Sequence, residues 1–253
     1  MTLTRVRGPS GTVAVDDGGS GGLPVVFLHS LAGNAAHWQA QLDRLRGSRR
    51  AIAVELRGHG RSDPPGNGDY RLPSLAGDLE AAVDALGLER FALAGHSLGG
   101  GVAVAYAGAH PERVERLFLL DATGDGTRLP AAEVEPFLAA LQSAYGETIE
   151  RYWETIVGPD PAVRKRLFRD LRALPRETVV AVMRASARFA PGPALAAYPG
   201  PAFAVVTPAN DQPFSLHRIG RGFPHRIIEG TGHWIQLDRP AEVSRILEGF
   251  LSS

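Results

Sequence analysis

Residues 93–101 read LAGHSLGGG, an apolar run that ends at a serine with glycines two positions before and two positions after it. Residues 90–95 have the composition of a buried strand, and residues 98–109 have that of a helix. A serine at so sharp a strand-to-helix turn occupies a strained backbone conformation, and the flanking glycines leave the space that side chains would fill. The pattern therefore predicts that Ser97 projects above a sheet edge as a nucleophile.

Strand-like and helix-like segments alternate on both sides of this turn. Short apolar runs and helical segments follow one another over residues 1–125 and again over 199–253, where FSLHRI (214–219) reads as a short helix. This alternation predicts an α/β fold with a mostly parallel, doubly wound sheet. Residues 126–198 contain no convincing strand and read as four short helices. We therefore expect a two-part core, residues 1–125 and 199–253, interrupted by a helical cap over residues 126–198.

Composition excludes several classes of function. The 253 residues contain 27 Lys+Arg, 27 Asp+Glu and no Cys. The charge balance argues against general binding of nucleic acid or anionic membranes, and the lack of Cys excludes disulfides, thiolate metal sites and a cysteine nucleophile. Neither a secretory signal nor the ~20 apolar residues of a membrane helix is found. We expect a cytoplasmic protein that needs no cofactor and no metal; its oligomeric state is not readable.

A serine nucleophile needs a base and an acid at neutral pH. Among eight histidines, His233 is the best placed, in the glycine-flanked loop GTGHWIQLDRP (230–240) before the last helix. Asp211 follows a strand and gives the chain order Ser97, Asp211, His233, so it is the preferred acid. Asp121, at the end of the strand LFLLD, is the alternative, because that strand end also faces the histidine loop.

Two backbone N–H groups are expected to hold the oxyanion of an acyl-transfer site. They are those of Leu98, directly after Ser97, and of Leu31 in the loop LHSLAGN (28–34). Trp153, on the helix RYWETI (151–156), is predicted either to line the substrate pocket or to pack the cap onto the core.

Together these motifs resemble the α/β-hydrolase fold superfamily over essentially the whole chain. The matching motifs, in order, are LHSLAGN with the HW that follows, RGHGRSDPP, GHSLGGG with AHPERVERLFLLD, and GTGHWIQLDRP. The resemblance implies a Ser97–His233–Asp211 triad, Leu31 and Leu98 as oxyanion donors, and a lid over the substrate.

Two departures from the family pattern bear on the site. Most members carry glycine where this chain has Ser30, and a serine there, also seen in enol-lactonase-like members, would place a hydroxyl at the floor of the substrate pocket. The interval from Asp211 to His233 is shorter than usual in the family, which strengthens the case for Asp121.

The predicted function is hydrolysis of a small to medium, mostly apolar carboxylic ester or lactone through an acyl-enzyme on Ser97. A carbon–carbon bond hydrolase, a hydroxynitrile lyase, a transferase or a cofactor-free peroxidase would use the same groups. Dehalogenases and epoxide hydrolases are disfavoured because they carry aspartate at the elbow. The non-enzymatic alternative is a ligand receptor built on a hydrolase scaffold.

Overall fold

The computed structural model describes residues 2–220 and 222–253. In these residues the apolar runs form eight strands of one sheet. The strands are β1 (Thr2–Gly8), β2 (Gly11–Gly18), β3 (Val25–Leu28), β4 (Ala51–Val54), β5 (Phe91–His96), β6 (Val114–Leu120), β7 (Ala202–Val206) and β8 (His225–Ile227). Their order is β1-β2-β4-β3-β5-β6-β7-β8; β2 is antiparallel to β1 and β4, and the other neighbours are parallel. The predicted mostly parallel sheet is confirmed.

Helices connect the strands and cover both faces of the sheet. They are α1 (Gln39–Leu45), α2 (Leu72–Ala85), α3 (Leu98–Ala109), α4 (Ala131–Ser143), α5 (Tyr145–Ile156), α6 (Pro161–Ala173), α7 (Arg176–Ala187), α8 (Gly192–Ala197), α9 (Ile235–Asp238) and α10 (Pro240–Ser252). Short 3-10 turns lie at Ala35–Trp38, Gly126–Arg128 and Pro208–Asn210. No helix among the described residues has both the length and the apolar character needed to cross a membrane.

The central strands are apolar along their whole length because both of their faces are covered. In β3, Val26 and Leu28 belong to the core under α2 and α3, whereas Val25 and Phe27 belong to the core under α1 and α10. All four side chains are fully buried. The two cores hold the carboxyl ends of the parallel strands at one edge, which is where the candidate site lies.

The segment after β7 differs from its prediction. The expected helix over 214–219 is wrong, and residues 207–220 form a series of turns. Ser215 donates its hydroxyl to the carbonyl oxygen of Asn210 and accepts the N–H of Gln212, so its side chain competes with helical backbone bonds. Gly220, with φ of +63°, ends the last turn.

Between β6 and β7 the described residues are helical or loop, as expected of a cap. Helix α4 packs against α5 and α7. Helix α8, near the end of the segment, instead packs against α3, where a Cβ at Gly108 would lie 2.5 Å from the Cα of Ala194. The division of the chain at residues 126 and 198 stays a prediction.

Candidate active site

Ser97 lies at the turn between β5 and α3 with φ of 52° and ψ of −117°. This left-handed conformation is strained for a residue with a Cβ, and the surrounding backbone enforces it. A Cβ at Gly95 would lie 2.3 Å from the carbonyl oxygen of Gly99, and one at Gly99 would lie 2.5 Å from that of Leu28. Only hydrogen atoms fit at these two positions, so the glycine spacing of the sequence has a steric cause.

The loop that follows β8 brings His233 to the same cavity as Ser97. Its Nδ1 lies 2.6 Å from Oδ2 of Asp121, and the imidazole side chain is 15% exposed while the carboxylate is 1% exposed. The Nδ1–H therefore donates to the carboxylate, which leaves Nε2 as the nitrogen able to accept a proton. The His233 ring meets the Trp234 ring edge-on, with centroids 5.1 Å apart.

Asp121 follows β6 directly and has a positive φ of 40°. Its N–H donates to the carbonyl oxygen of Val205 on the neighbouring strand at 2.7 Å. Its Oδ1 accepts the N–H of Thr207 at 2.7 Å, and the Thr207 hydroxyl lies 3.1 Å from the same oxygen. These donors hold the carboxylate in one orientation, facing the His233 ring.

Asp211 does not contact His233. Its Oδ1 and Oδ2 each accept a bond of 2.7 Å from the Arg218 guanidinium, and His217 lies 2.8 Å from Oδ1. Arg218 and then His217 hold the pKa of Asp211 well below its usual range. The expected pairing of Asp211 with His233 is therefore wrong, because the turns after β7 pair this carboxylate with their own cations.

Asp211, His217 and His225 are also a set of metal-ligand types whose donor atoms lie within 4.8 Å of one another. The Arg218 fork already occupies both oxygens of Asp211. The arrangement fits a partly buried ion-pair cluster, and its residues do not line the cavity of Ser97.

A buried histidine, His96, anchors the loop that carries His233. His96 donates from Nε2 to the carbonyl oxygen of His233 at 2.8 Å, and its Nδ1 accepts from the Gln236 amide at 3.1 Å. Burial lowers the pKa of His96 well below its usual value, and the neighbouring His233 lowers it further. His96 is thus a neutral tautomer that positions the loop.

The N–H groups of Leu31 and Leu98 are the expected oxyanion donors, and both residues line the cavity beside Ser97. Leu98 is the first residue of α3, so its N–H has no acceptor within the helix. Throughout residues 2–220 and 222–253, no hydrogen bond uses either of these N–H groups. Both are available to an oxygen atom bound in the cavity.

The cavity has a volume of about 420 Å³ and lies between the strand ends and the helices of the expected cap. Its lining is mostly apolar and includes Val134, Phe137, Leu138, Ile156, Val182, Met183 and Phe214. The charged lining residues are three acids, Asp121, Asp125 and Glu133, together with His233 as a titratable group. Among the described residues that line the cavity, none is Lys or Arg.

Ser30 and Trp153 both line this cavity, as expected for substrate-binding residues. Ser30 is 1% exposed, and its hydroxyl oxygen accepts a hydrogen bond from the indole N–H of Trp234 at 3.0 Å. Trp153 is 2% exposed and packs against Trp234, with ring centroids 5.4 Å apart. Trp153 thus combines the two alternatives, because it faces the cavity and also packs the expected cap onto the core.

The backbone of the histidine loop touches the expected cap. His233 donates its N–H to the carbonyl oxygen of Ile156 at 2.8 Å, at the end of α5. A Cβ at Gly232 would lie 2.1 Å from the backbone nitrogen of Gly158. The loop that carries His233 and the segment that follows α5 are therefore in direct backbone contact.

Thr207 and Tyr152 were missed by the sequence reasoning. Thr207 follows β7 at the edge where Asp121 follows β6, so the strand alternation contained a signal for it. Tyr152 precedes Trp153 on α5, and nothing in the pattern of that helix distinguished the two rings.

A family model described as the alpha/beta hydrolase fold matches residues 24–174. The chain belongs to this family. A solved structure described as an N-acyl homoserine lactone degrading enzyme is similar over 98% of this chain and 100% of its own, with 26% identity and a TM-score of 0.86. Family membership agrees with the elbow at Ser97 and with the strand order of the sheet.

Two curated relatives match shorter segments. The dihydrolipoyllysine-residue acetyltransferase component of an acetoin cleaving system from Pseudomonas putida is 37% identical over 124 residues, 49% of this chain and 33% of its own length. The 2-hydroxymuconate semialdehyde hydrolase of a Pseudomonas species is 36% identical over 106 residues, 41% of this chain and 38% of its own length. The chain matches about a third of the length of the first relative and 38% of the length of the second.

Proposed function

We propose that this chain is a serine hydrolase that cleaves an uncharged, mostly apolar carboxylic ester or lactone through an acyl-enzyme. The observation that carries the proposal is the 2.6 Å hydrogen bond between His233 Nδ1 and Asp121, at the cavity into which the strained Ser97 also faces. Asp121 replaces Asp211 as the proposed acid. Residues 126–198 are proposed to cap the cavity, since Phe137 and Met183 of that segment line it.

In the proposed reaction, His233 Nε2 takes the hydroxyl proton of Ser97 as Oγ attacks the carbonyl carbon. The N–H groups of Leu31 and Leu98 hold the oxyanion, a contribution of about 3 kcal/mol per donor in comparable sites. His233 then protonates the leaving alkoxide oxygen as the carbon–oxygen bond breaks. A water molecule next gives a proton to His233 and attacks the acyl carbon; the bond to Ser97 Oγ then breaks, the acid leaves, and His233 returns the proton to Oγ.

Substrate charge follows from the cavity lining. The carboxylates of Asp121 and Glu133 repel a substrate anion, and the described lining has no Lys or Arg; Asp125 is paired with Arg128, just outside the lining. The apolar remainder suits a hydrocarbon group. The similarity to an N-acyl homoserine lactone degrading enzyme supports a lactone among the candidate substrates.

Carbon–carbon bond hydrolysis is the second candidate, favoured by the matching segment of the 2-hydroxymuconate semialdehyde hydrolase. The same serine, histidine and aspartate would serve it. Product analysis separates the two reactions, because ester cleavage yields an alcohol and an acid whereas carbon–carbon cleavage breaks no carbon–oxygen bond.

Covalent labelling with a fluorophosphonate, read by intact mass, tests the proposal. We expect one adduct on the wild-type chain, none on Ser97→Ala, and labelling of Asp121→Asn slowed by about 10⁴-fold through loss of the correct tautomer. Asp211→Asn is the matched control, and it should label within about twofold of wild type because its carboxylate lies outside the cavity. Absence of a wild-type adduct, together with no ester or lactone turnover, would favour the receptor alternative.

A further inference from the structure

Tyr152 presents a polar group to an otherwise apolar part of the cavity. Its ring lies between those of Phe137 and Trp153, with centroids 5.4 and 6.0 Å away. In the part of the chain that the structure describes, no hydrogen bond reaches the Tyr152 hydroxyl. That oxygen keeps accessible surface, whereas the indole nitrogen of Trp153 is buried without an acceptor. Of these two neighbours on α5, only the tyrosine offers a free hydrogen-bond donor to a ligand.

The location of Tyr152 relates it to the reacting groups. Tyr152 lies one helical turn before Ile156, whose carbonyl oxygen accepts the N–H of His233. The same helix, α5, therefore carries the phenol and the contact with the histidine loop. Burial raises the pKa of the Tyr152 phenol, and the negative charge of Asp121 raises it further. The phenol therefore keeps its proton throughout the neutral pH range and acts as a donor.

The charge of the cavity limits which acceptors such a donor can meet. Glu133 lines the same cavity and its carboxylate forms no ion pair within the described residues, whereas Asp125 is paired with Arg128 at 3.2 Å. A substrate carboxylate would be repelled by Glu133 and by Asp121, which also lines the cavity. A neutral carbonyl or ether oxygen meets no such repulsion and accepts from the phenol.

We propose that Tyr152 forms a polar subsite that donates a hydrogen bond to an uncharged oxygen of the substrate, close to the scissile ester or lactone. The preferred substrates are then esters or lactones with a neutral acceptor beside the reacting carbonyl, such as an amide substituent. This inference rests on the proposed function, because it assigns a substrate class to the same site. A substrate without the acceptor leaves the phenol unpartnered once water is displaced, which lowers its rate of cleavage.

A pair of lactones that differ in one group tests the subsite. An α-acylamino-γ-butyrolactone carries the amide, and an α-alkyl-γ-butyrolactone of equal chain length lacks it. Tyr152→Phe removes only the hydroxyl, and we expect it to lower kcat/KM for the acylamino lactone by about tenfold and to change the alkyl lactone by less than about twofold. Tyr145→Phe is the matched control on the same helix, because Tyr145 packs near Arg176 and does not line the cavity.

Equal losses of kcat/KM on both lactones, or no loss on either, would overturn the subsite. Preference of the wild type for an α-carboxyalkyl lactone over the acylamino lactone would overturn the assignment of a neutral acceptor. Fluorophosphonate labelling of Tyr145→Phe should match wild type, since Tyr145 does not line the cavity.

A binding experiment keeps this inference separate from the proposed function. Calorimetry on Ser97→Ala measures the affinity of an α-acylamino-γ-butyrolactam, the amide analogue of the lactone, with and without Tyr152→Phe. A roughly tenfold weaker affinity in the double variant supports the subsite even where no lactone is turned over. Equal affinities refute it, while the labelling experiment judges the hydrolase proposal on its own.

Discussion

Thr207 holds Asp121 through both its backbone and its side chain. The N–H of Thr207 lies 2.7 Å from Oδ1 of Asp121, and the hydroxyl lies 3.1 Å from Oδ1 and 3.2 Å from Oδ2. Because β6 and β7 are adjacent and parallel, the residues that follow them meet at one edge of the sheet. The proposed acid is thereby oriented by the neighbouring strand end.

Thr207→Val tests this orientation. Valine keeps the shape and the N–H but removes the hydroxyl, so we expect the rate of fluorophosphonate labelling to fall by about tenfold while the fold is retained. Thr207→Ser, which keeps the hydroxyl, should stay within about twofold of wild type. Equal rates for valine and serine would mean that the N–H alone positions Asp121.

Buried histidines make stability depend on pH. Burial lowers the pKa of His59 from 6.5 to about 4, and burial also lowers the pKa of His29 and His96 well below 6.5. As pH falls below 6.5, these histidines are protonated in the unfolded chain before they are protonated in the folded chain. Their contribution to the free energy of unfolding is therefore fully present above pH 6.5 and declines towards pH 4. Urea unfolding from pH 8 to pH 4.5 should record the decline.

His59→Asn tests how much of this pH dependence of stability comes from His59. The Asn amide can still donate to the carbonyl oxygen of Arg57, as His59 Nδ1 does, but it does not titrate. Near pH 5 the slope of unfolding free energy against pH should fall by about 1.4 kcal/mol per unit. The carboxylates with lowered pKa, such as Asp211, lose their contribution only below about pH 4, outside this window. An unchanged slope would contradict a neutral buried His59.

Two glycine substitutions, one at the Ser97 turn and one in α10, should have opposite effects on stability. Gly99→Ala places a Cβ 2.5 Å from the carbonyl oxygen of Leu28. We therefore expect the free energy of unfolding to fall by at least about 2 kcal/mol and Ser97 to lose its labelling by the fluorophosphonate. Gly249→Ala, in α10 with no atom within 4 Å of the new Cβ, should stabilise by about 1 kcal/mol. Thermal unfolding of the two variants checks both signs, and a stable, labelled Gly99→Ala would refute the steric account.

Ser30 is predicted to act on stability through Trp234. Ser30→Ala leaves the buried Trp234 N–H without its acceptor, at a cost of about 1–3 kcal/mol. Adding Trp234→Phe removes the unpartnered donor, so the double variant should lose less stability than the two single losses summed. Additive losses would show that the hydrogen bond contributes nothing beyond the two side chains.

The sequence predicted those features that depend on local pattern. Ser97 and its flanking glycines follow from close backbone contacts at one turn, and both His233 and the parallel sheet follow from strand alternation near them. The choice between Asp121 and Asp211 as the partner of His233 does not follow from local pattern. Both follow strands at the same edge, and the choice depends on Arg218 and His217, whose pairing with Asp211 arises from turns that the sequence pattern presented as a helix.

The helices α4 to α7 were also predicted as elements, but their inward faces were not. Trp153 was singled out for its size, yet its indole N–H is buried and Tyr152 carries the accessible polar group. Which of two adjacent rings turns a donor towards a cavity depends on packing against Phe137 and Trp234, residues distant along the chain.

The contact between the histidine loop and the end of α5 limits how this protein can diversify. The N–H of His233 depends on the Ile156 carbonyl oxygen, and the backbones at Gly232 and Gly158 leave no room for a side chain between them. A segment taken from another protein in place of α5 would bring a different backbone to the N–H of His233. Exchange of this segment would therefore have to preserve the backbone contact at Ile156 and Gly158.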